Sequence, residues 1–275
     1  MIICKRARFY AKYYQQNFSM PDSIIFYIAK NPKTAELYLK MVKTCKYFFV
    51  KNSIIIIPNL NTDGEEWRCG RVSLNFTKYN CKYWITDEIS ASARGLVNRN
   101  IFLPITPKIY RCDAKSLYLH SQVVSFNDIS LLISSAEKIS LYNVIVKECD
   151  SVIPVEDIIA IAVKAKNISV NESKITSKTM KELTKLSHFL KLDNLDLYNL
   201  SEVFDIDAFY SYMKKNLHTK FFLTFDEQIS ERYMNRLKTI VDEILETKQF
   251  NYKPPGINFT GLEEFGKLFG IYCSH

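Results

Sequence analysis

The sequence predicts an α/β protein, with a short basic helical module over residues 18–52 followed by a stack of strand–helix units. Three observations predict it. From about Lys115 onward, a short alternating apolar strand, a polar turn and an amphipathic helix recur. Residues 18–52 hold two segments with helix start and stop signals. The net charge of +8 is concentrated in residues 1–60, where ten Lys/Arg face only Asp22 and Glu36, while the remainder carries 27 of each sign.

Residues 1–17 form a basic extension. Lys5, Arg6, Arg8 and Lys12 are scattered among aromatics with no apolar segment behind them, so a secretory signal is not expected. The longest aliphatic run, Ile54 to Ile57, falls far short of the roughly 20 apolar residues that span a bilayer. A membrane is therefore not an expected partner, and a cytoplasmic or nuclear location is.

At the start of the module, Pro21 fits a helix's first turn, where its missing N–H costs nothing, and Ser19 or Asp22 can cap. Asn31-Pro32 stops that helix, because the residue before proline is driven out of the helical region. Thr34 can cap a second helix, on which Leu39, Val42, Cys45 and Phe48 form an apolar stripe beside basic Lys40, Lys43 and Lys46. Residues 53–110 read as a connecting region of short strands, with β-prone runs at Ile54–Ile57, Val72–Phe76 and Tyr83–Ile85 and a turn at Asp63-Gly64.

Over residues 111–250 the strands begin at Leu117, Ile139, Ile168, Leu195 and Phe221. The helices expected between and after them are Asn127–Ala136, Val155–Lys166, Ser177–Phe189, Ile206–Asn216 and Glu227–Thr247, with Asn127, Ser177 and Asp205 placed to cap three. Residues 251–275 read as a C-terminal tail.

Catalytic chemistry is not expected. The four histidines are far apart in sequence, and the seven cysteines form no C-x-x-C pair and are odd in number, which argues for reduced thiols rather than disulfides or zinc. Gly261 to Lys267 matches the opening of a phosphate-binding loop, but Leu268 stands where Ser or Thr would hold magnesium, and no strand is evident before it. No metal or cofactor is predicted, and the chain reads as a non-enzymatic adaptor.

A strand–helix period in the twenties, with Leu192-x-x-Leu195-x-Leu197, resembles leucine-rich repeats, whose units bury their faces against one another. Asn143 and Asn199 follow their strand leucines by two residues where the family has three, so the expected form is an irregular leucine-rich-repeat-like solenoid. An ordinary α/β domain with even spacing is the alternative. The order Met20-Pro21, Ile24, Ile25, Ile28, then Leu39, Val42, Cys45, Phe48 resembles the F-box family. That resemblance implies binding of a Skp-type adaptor, on a cullin scaffold within a cullin-RING ubiquitin ligase, through these nine positions.

Repeats bind partners through extended surfaces, and Tyr118, His120, Tyr142, Asn171, Tyr198 and Thr224, in or beside the strands, are the candidate contacts to a protein substrate. Two other readings stand beside this one. A nucleic acid could be held by the basic N-terminus, with Tyr13, Tyr14 and Phe18 stacking on bases. Alternatively, the chain is a repeat scaffold unrelated to ubiquitin, with the N-terminal helices as its cap.

Overall fold

The computed structural model describes residues 19–93 and 100–275. The basic extension, with Tyr13, Tyr14 and Phe18, lies outside the described residues.

The described residues begin with three short helices: α1 (Asp22–Lys30), α2 (Ala35–Thr44) and α3 (Lys46–Lys51). Thr34 caps α2 as its sequence position suggests, its hydroxyl accepting from the Leu37 amide at 3.1 Å. Pro21 begins α1 without a side-chain cap from Ser19 or Asp22. The expected single second helix is broken, because Cys45 is extended at φ −148° and its sulfur caps α3. Tyr38 and Phe48 are buried, whereas Leu39 of the expected stripe faces solvent.

Residues 53–110 are more than a connection. They supply five strands, β1 (Ile54–Thr62), β2 (Trp67–Cys69), β3 (Val72–Leu74), β4 (Lys82–Ser92) and β5 (Ile109–Cys112), to the sheet that also holds the later units. After them come β6 (Ser116–Ser125), α4 (Phe126–Ile133), β7 (Lys138–Glu148), β8 (Ser151–Val152), α5 (Val155–Ile161), β9 (Asn167–Asn171) and α6 (Thr179–Leu183). The chain continues through β10 (Asn194–Leu200), α7 (Ile206–Met213), β11 (Lys220–Phe225) and α8 (Glu231–Glu246). The segment expected to be a tail closes the fold as β12 (Gly256–Asn258) and α9 (Phe265–Ser274).

The result is a mixed α/β protein built on one twelve-stranded, mostly parallel sheet, with nine α-helices among the described residues. From β4 the order runs β4-β6-β7-β9-β10-β11-β12 without doubling back, all parallel. Parallel crossovers keep one hand, so a sheet that grows in one direction places its connecting helices on one face. Burial agrees. Leu117, Leu119, Ile139, Leu141, Ile168, Val170, Leu195, Leu197, Phe221 and Leu223 are buried in the main core, and the side chains that alternate with them are not.

The helices are shorter than the repeat pattern suggests. Ser125 rather than Asn127 caps α4, its hydroxyl accepting from Asp128, and α5 ends at Ile161. In place of Ser177–Phe189 the chain forms only α6 and a 3-10 turn at Phe189–Lys191, and Ser177 caps nothing. Asp205 does cap α7, accepting from Ala208 at 2.9 Å.

Asn143 and Asn199 have a role other than a ladder. They adopt left-handed backbone at φ 52° and 57°, and Ser121 and Glu172 do the same at 51° and 56°. Each directly follows His120, Tyr142, Asn171 or Tyr198, which are neighbours across β6, β7, β9 and β10. Every one of these strands thus bends at the same level. Asparagine tolerates that conformation better than other side chains, which accounts for two of the four. The bend changes the inward spacing from two to three, as in Leu195, Leu197 and Leu200.

Candidate functional site

The face of the sheet opposite the connecting helices carries most of the side chains expected to contact a substrate. Strand register aligns them in rows. One row runs Tyr118, Ser140, Ser169, Asp196, Phe222, Gly256 across six strands. The next runs Ser92, His120, Tyr142, Asn171, Tyr198. Thr224 lies beside Asn258 at the far end, its hydroxyl accepting from the Asn199 amide at 3.0 Å. Five of the six expected residues therefore lie in two adjacent rows, and Thr224 extends the surface.

In the second row His120 and Tyr142 stack, with ring centroids 4.8 Å apart and planes at 5°. His120 Nδ1, Ser92 Oγ and Asn171 Oδ1 are buried and make no hydrogen bond among the described residues. Buried polar atoms are normally paired, so these three stand out as unsatisfied beneath the second row.

The first row forms a cleft of about 380 Å³. Its shape follows from residue size. Ser140 and Ser169 are short, Tyr118 stands on one side, and Asp196 and then Phe222 stand on the other. Three strand spacings separate Tyr118 from Asp196, roughly 14 Å. The C-terminal helix closes the end. Leu268 of α9 is fully buried in the core, while Tyr272 packs on Phe222 with ring centroids 5.6 Å apart and lines the cleft.

Gly256 permits this arrangement, since a Cβ there would overlap the Phe222 ring. Lys220 Nζ sits 4.3 Å from the centroid of the Tyr272 ring.

Asp196 is the acidic group of the cleft, which Lys138 also lines. Among the described residues its carboxylate accepts no hydrogen bond and has no Lys or Arg within 4.0 Å. Burial pushes its pKa up to about 6. Burial also raises Tyr198 and Tyr272, with the Asp196 charge adding to both. An unpaired carboxylate between aromatic walls is suited to receive a donor or a cation.

Sequence reasoning missed Asp196, Ser140, Ser169 and Tyr272. Aligning the strands by their inward leucines, as Leu117-x-Leu119 with Leu195-x-Leu197, would have placed the first three beside Tyr118. Tyr272 had no such signal.

The positions expected to dock an adaptor separate into three groups. Ile25 and Phe48 are buried with Ala29 in a small core of the helical module, and Ile28, Val42 and Cys45 pack partly buried against it. Met20, Pro21, Ile24 and Leu39 are exposed. Phe26, Tyr27 and Leu37 add further exposed apolar surface nearby in sequence. Tyr38 instead shares a second small core with Ile54 and Trp84, which joins the module to the sheet.

The Cys112 thiol is pushed up to about 11 by burial, which disfavours the thiolate a nucleophile needs. Among the described residues no group of three or more His, Cys, Asp or Glu is arranged to hold a metal ion, and no helix is long and apolar enough to cross a membrane. A strand, β12, does precede the phosphate-loop-like segment, contrary to the sequence expectation, but Leu268 in the magnesium-ligand position is a core residue. No protein-family model, no curated protein and no solved structure matches this chain.

Proposed function

We propose that the chain is a substrate-recognition adaptor of a cullin-RING ubiquitin ligase of the SCF type. It binds a Skp-type adaptor through residues 18–52 and a protein substrate through the sheet face opposite the connecting helices of its strand–helix units, which act as an irregular leucine-rich-repeat-like solenoid.

One observation carries this reading. The helical module keeps its own core of Ile25, Ala29 and Phe48 and still exposes Met20, Ile24 and Leu39, each more than 40% accessible. Apolar side chains turned outward from a small module with a satisfied interior favour a protein partner. The face holding Tyr118, Tyr142 and Asp196 supplies a second, separate surface for the substrate, so the two contacts do not compete.

The test is co-purification of the full chain with a Skp-type adaptor. Wild type binds, and Ile24→Asp combined with Leu39→Asp, both at exposed positions, abolishes binding without unfolding. A folded wild type that captures no adaptor overturns the reading.

A second reading has its own observation. Tyr38 is buried with Ile54 and Trp84, so α1 to α3 also act as a cap on the sheet of a scaffold protein. In that case, deletion of residues 1–52 unfolds the remainder, whereas a separable docking module leaves it folded.

A further inference from the structure

We propose that the cleft between the helical module and the start of the sheet binds a compact polyanion, a small molecule carrying several phosphate groups. Four lysines from four elements line a space of about 470 Å³: Lys30 ends α1, Lys51 ends α3, Lys82 begins β4, and Lys108 ends the 3-10 turn before β5. Among the described residues, no Asp or Glu lines the cleft. The other lining groups, among them Asn52 and Ser53, are neutral.

Four lysines share this one cleft without a carboxylate among them, whereas five lysines elsewhere are ion-paired. Lys40 pairs with Glu36, Lys115 and Lys166 with Glu137, Lys185 with Glu182, and Lys214 with Glu243. Among the described residues, none of the four cleft lysines has a carboxylate within 4.0 Å. Lys30 and Lys51 rest instead near aromatic rings, 5.7 Å from the Phe26 centroid and 5.5 Å from that of Tyr47. Like charges gathered without a counter-ion repel one another, and a multivalent anion turns that repulsion into binding. An ammonium is a compact point charge with three donors, suited to phosphate oxygens.

The size of the cleft selects the class of anion. Its volume falls in the range of roughly 300–1,000 Å³ typical of small-molecule sites. The backbone around it is held in place, since Asn52 Nδ2 donates to the Ala29 carbonyl at 3.0 Å and the Lys82 amide donates to the Ser53 carbonyl at 2.9 Å. Lys30 and Lys51 belong to the helical module, Lys82 and Lys108 to the sheet side. A bound polyanion therefore ties the two parts together and raises the stability of the folded chain with the logarithm of its concentration above Kd. This assignment is independent of any role in ubiquitin ligation.

The experiment is thermal unfolding of the full chain titrated with inorganic tripolyphosphate at low salt, with calorimetric titration of the same pair. A Tm that rises with tripolyphosphate concentration and a saturable calorimetric isotherm are expected, with the affinity falling roughly tenfold or more in Lys51→Gln with Lys82→Gln. The same double change at exposed Lys178 and Lys238, away from the cleft, leaves the affinity unchanged. The site is overturned if tripolyphosphate gives no saturable isotherm, or if both double variants respond alike. An oligonucleotide that binds at Lys51 and Lys82 more tightly than tripolyphosphate overturns the small-ligand assignment in favour of nucleic acid.

Discussion

The hydroxyl of Tyr38 accepts from the Ile54 amide at 3.2 Å and donates to the carbonyl of Asn52, so a residue of α2 holds the first residue of β1. Both backbone groups flank the junction between the helical module and the sheet. Asn52 works beside it, its side-chain amide reaching back to the carbonyls of Ala29 and Lys30. Tyr110 and Arg111 of β5 add bonds to the carbonyls of Lys30 and Lys33. The module is therefore fastened to the sheet by a polar seam as well as by the small apolar core of Tyr38, Ile54 and Trp84.

Tyr38→Phe tests that seam. The substitution keeps the ring in place and removes both hydroxyl bonds, while the Ile54 amide keeps its bond to the Asn52 carbonyl at 2.9 Å. A cost of about 0.5–1.5 kcal/mol is expected. Urea denaturation checks it, as a lower midpoint with an unchanged slope.

Ile24 and Ile25 are adjacent in sequence and opposite in role, Ile24 being 46% exposed and Ile25 3% exposed. Ile25→Ala removes buried apolar volume from the module's core and is expected to cost about 2–4 kcal/mol. Ile24→Ala is expected to change stability by less than about 0.5 kcal/mol. Denaturation of the two variants side by side checks the division, and equal costs would contradict it.

Much of the strand pattern was legible because the alternation of inward leucines is a local signal. Leu117-x-Leu119, Ile139-x-Leu141, Ile168-x-Val170, Leu195-x-Leu197 and Phe221-x-Leu223 all bury as they read. The break in α2 was not legible, because Cys45 continues the apolar spacing in sequence while its backbone is extended. The place of residues 251–275 was hidden for a different reason. β12 is only three residues long, and it is a strand because Phe222, Leu223 and Thr224 of β11 pair with it across more than thirty residues of chain. Asp196 was overlooked because it reads as the polar half of an alternating strand, and its burial arises only when α9 brings Tyr272 over the sheet.

Asp196 sets a pH dependence whose sign follows from its burial. Its pKa rises from 3.8 to about 6 in the folded chain. Tyr118, Lys138, Tyr198, Lys220 and Tyr272 are the titratable groups on the elements around it. Between roughly pH 4 and 6 the folded state holds more of this proton than the unfolded state, so this group's contribution to stability falls as pH rises through that window. Above about pH 6 the whole penalty is present. A shift of about two pH units corresponds to about 3 kcal/mol, reduced by solvent screening of a half-buried group to roughly 1–2 kcal/mol. Asp196→Asn is therefore expected to stabilise the chain by that amount at pH 7.5 and to have little effect at pH 3.5. Chemical denaturation at the two pH values checks it, and a variant less stable than wild type at pH 7.5 would reverse the assignment.

Gly256 decides whether the C-terminal helix can close the cleft. Its backbone has an ordinary φ, so the constraint is one of space: an added Cβ overlaps the Phe222 ring and meets Tyr272 at 3.4 Å. Phe222 cannot retreat freely, because Tyr198 lies 5.8 Å away on one side and Phe269 lies 6.4 Å away, on α9. Gly256→Ala is expected to cost about 1–3 kcal/mol as a small-to-large change in a packed contact. The strain falls on the contact between α9 and the sheet, so hydrogen exchange should rise in α9 and β12 while the amides of β6 and β7 keep their protection. Exchange that rises uniformly along the sheet would mean that α9 and the sheet unfold as one unit and that the helix is not a separately anchored wall of the cleft.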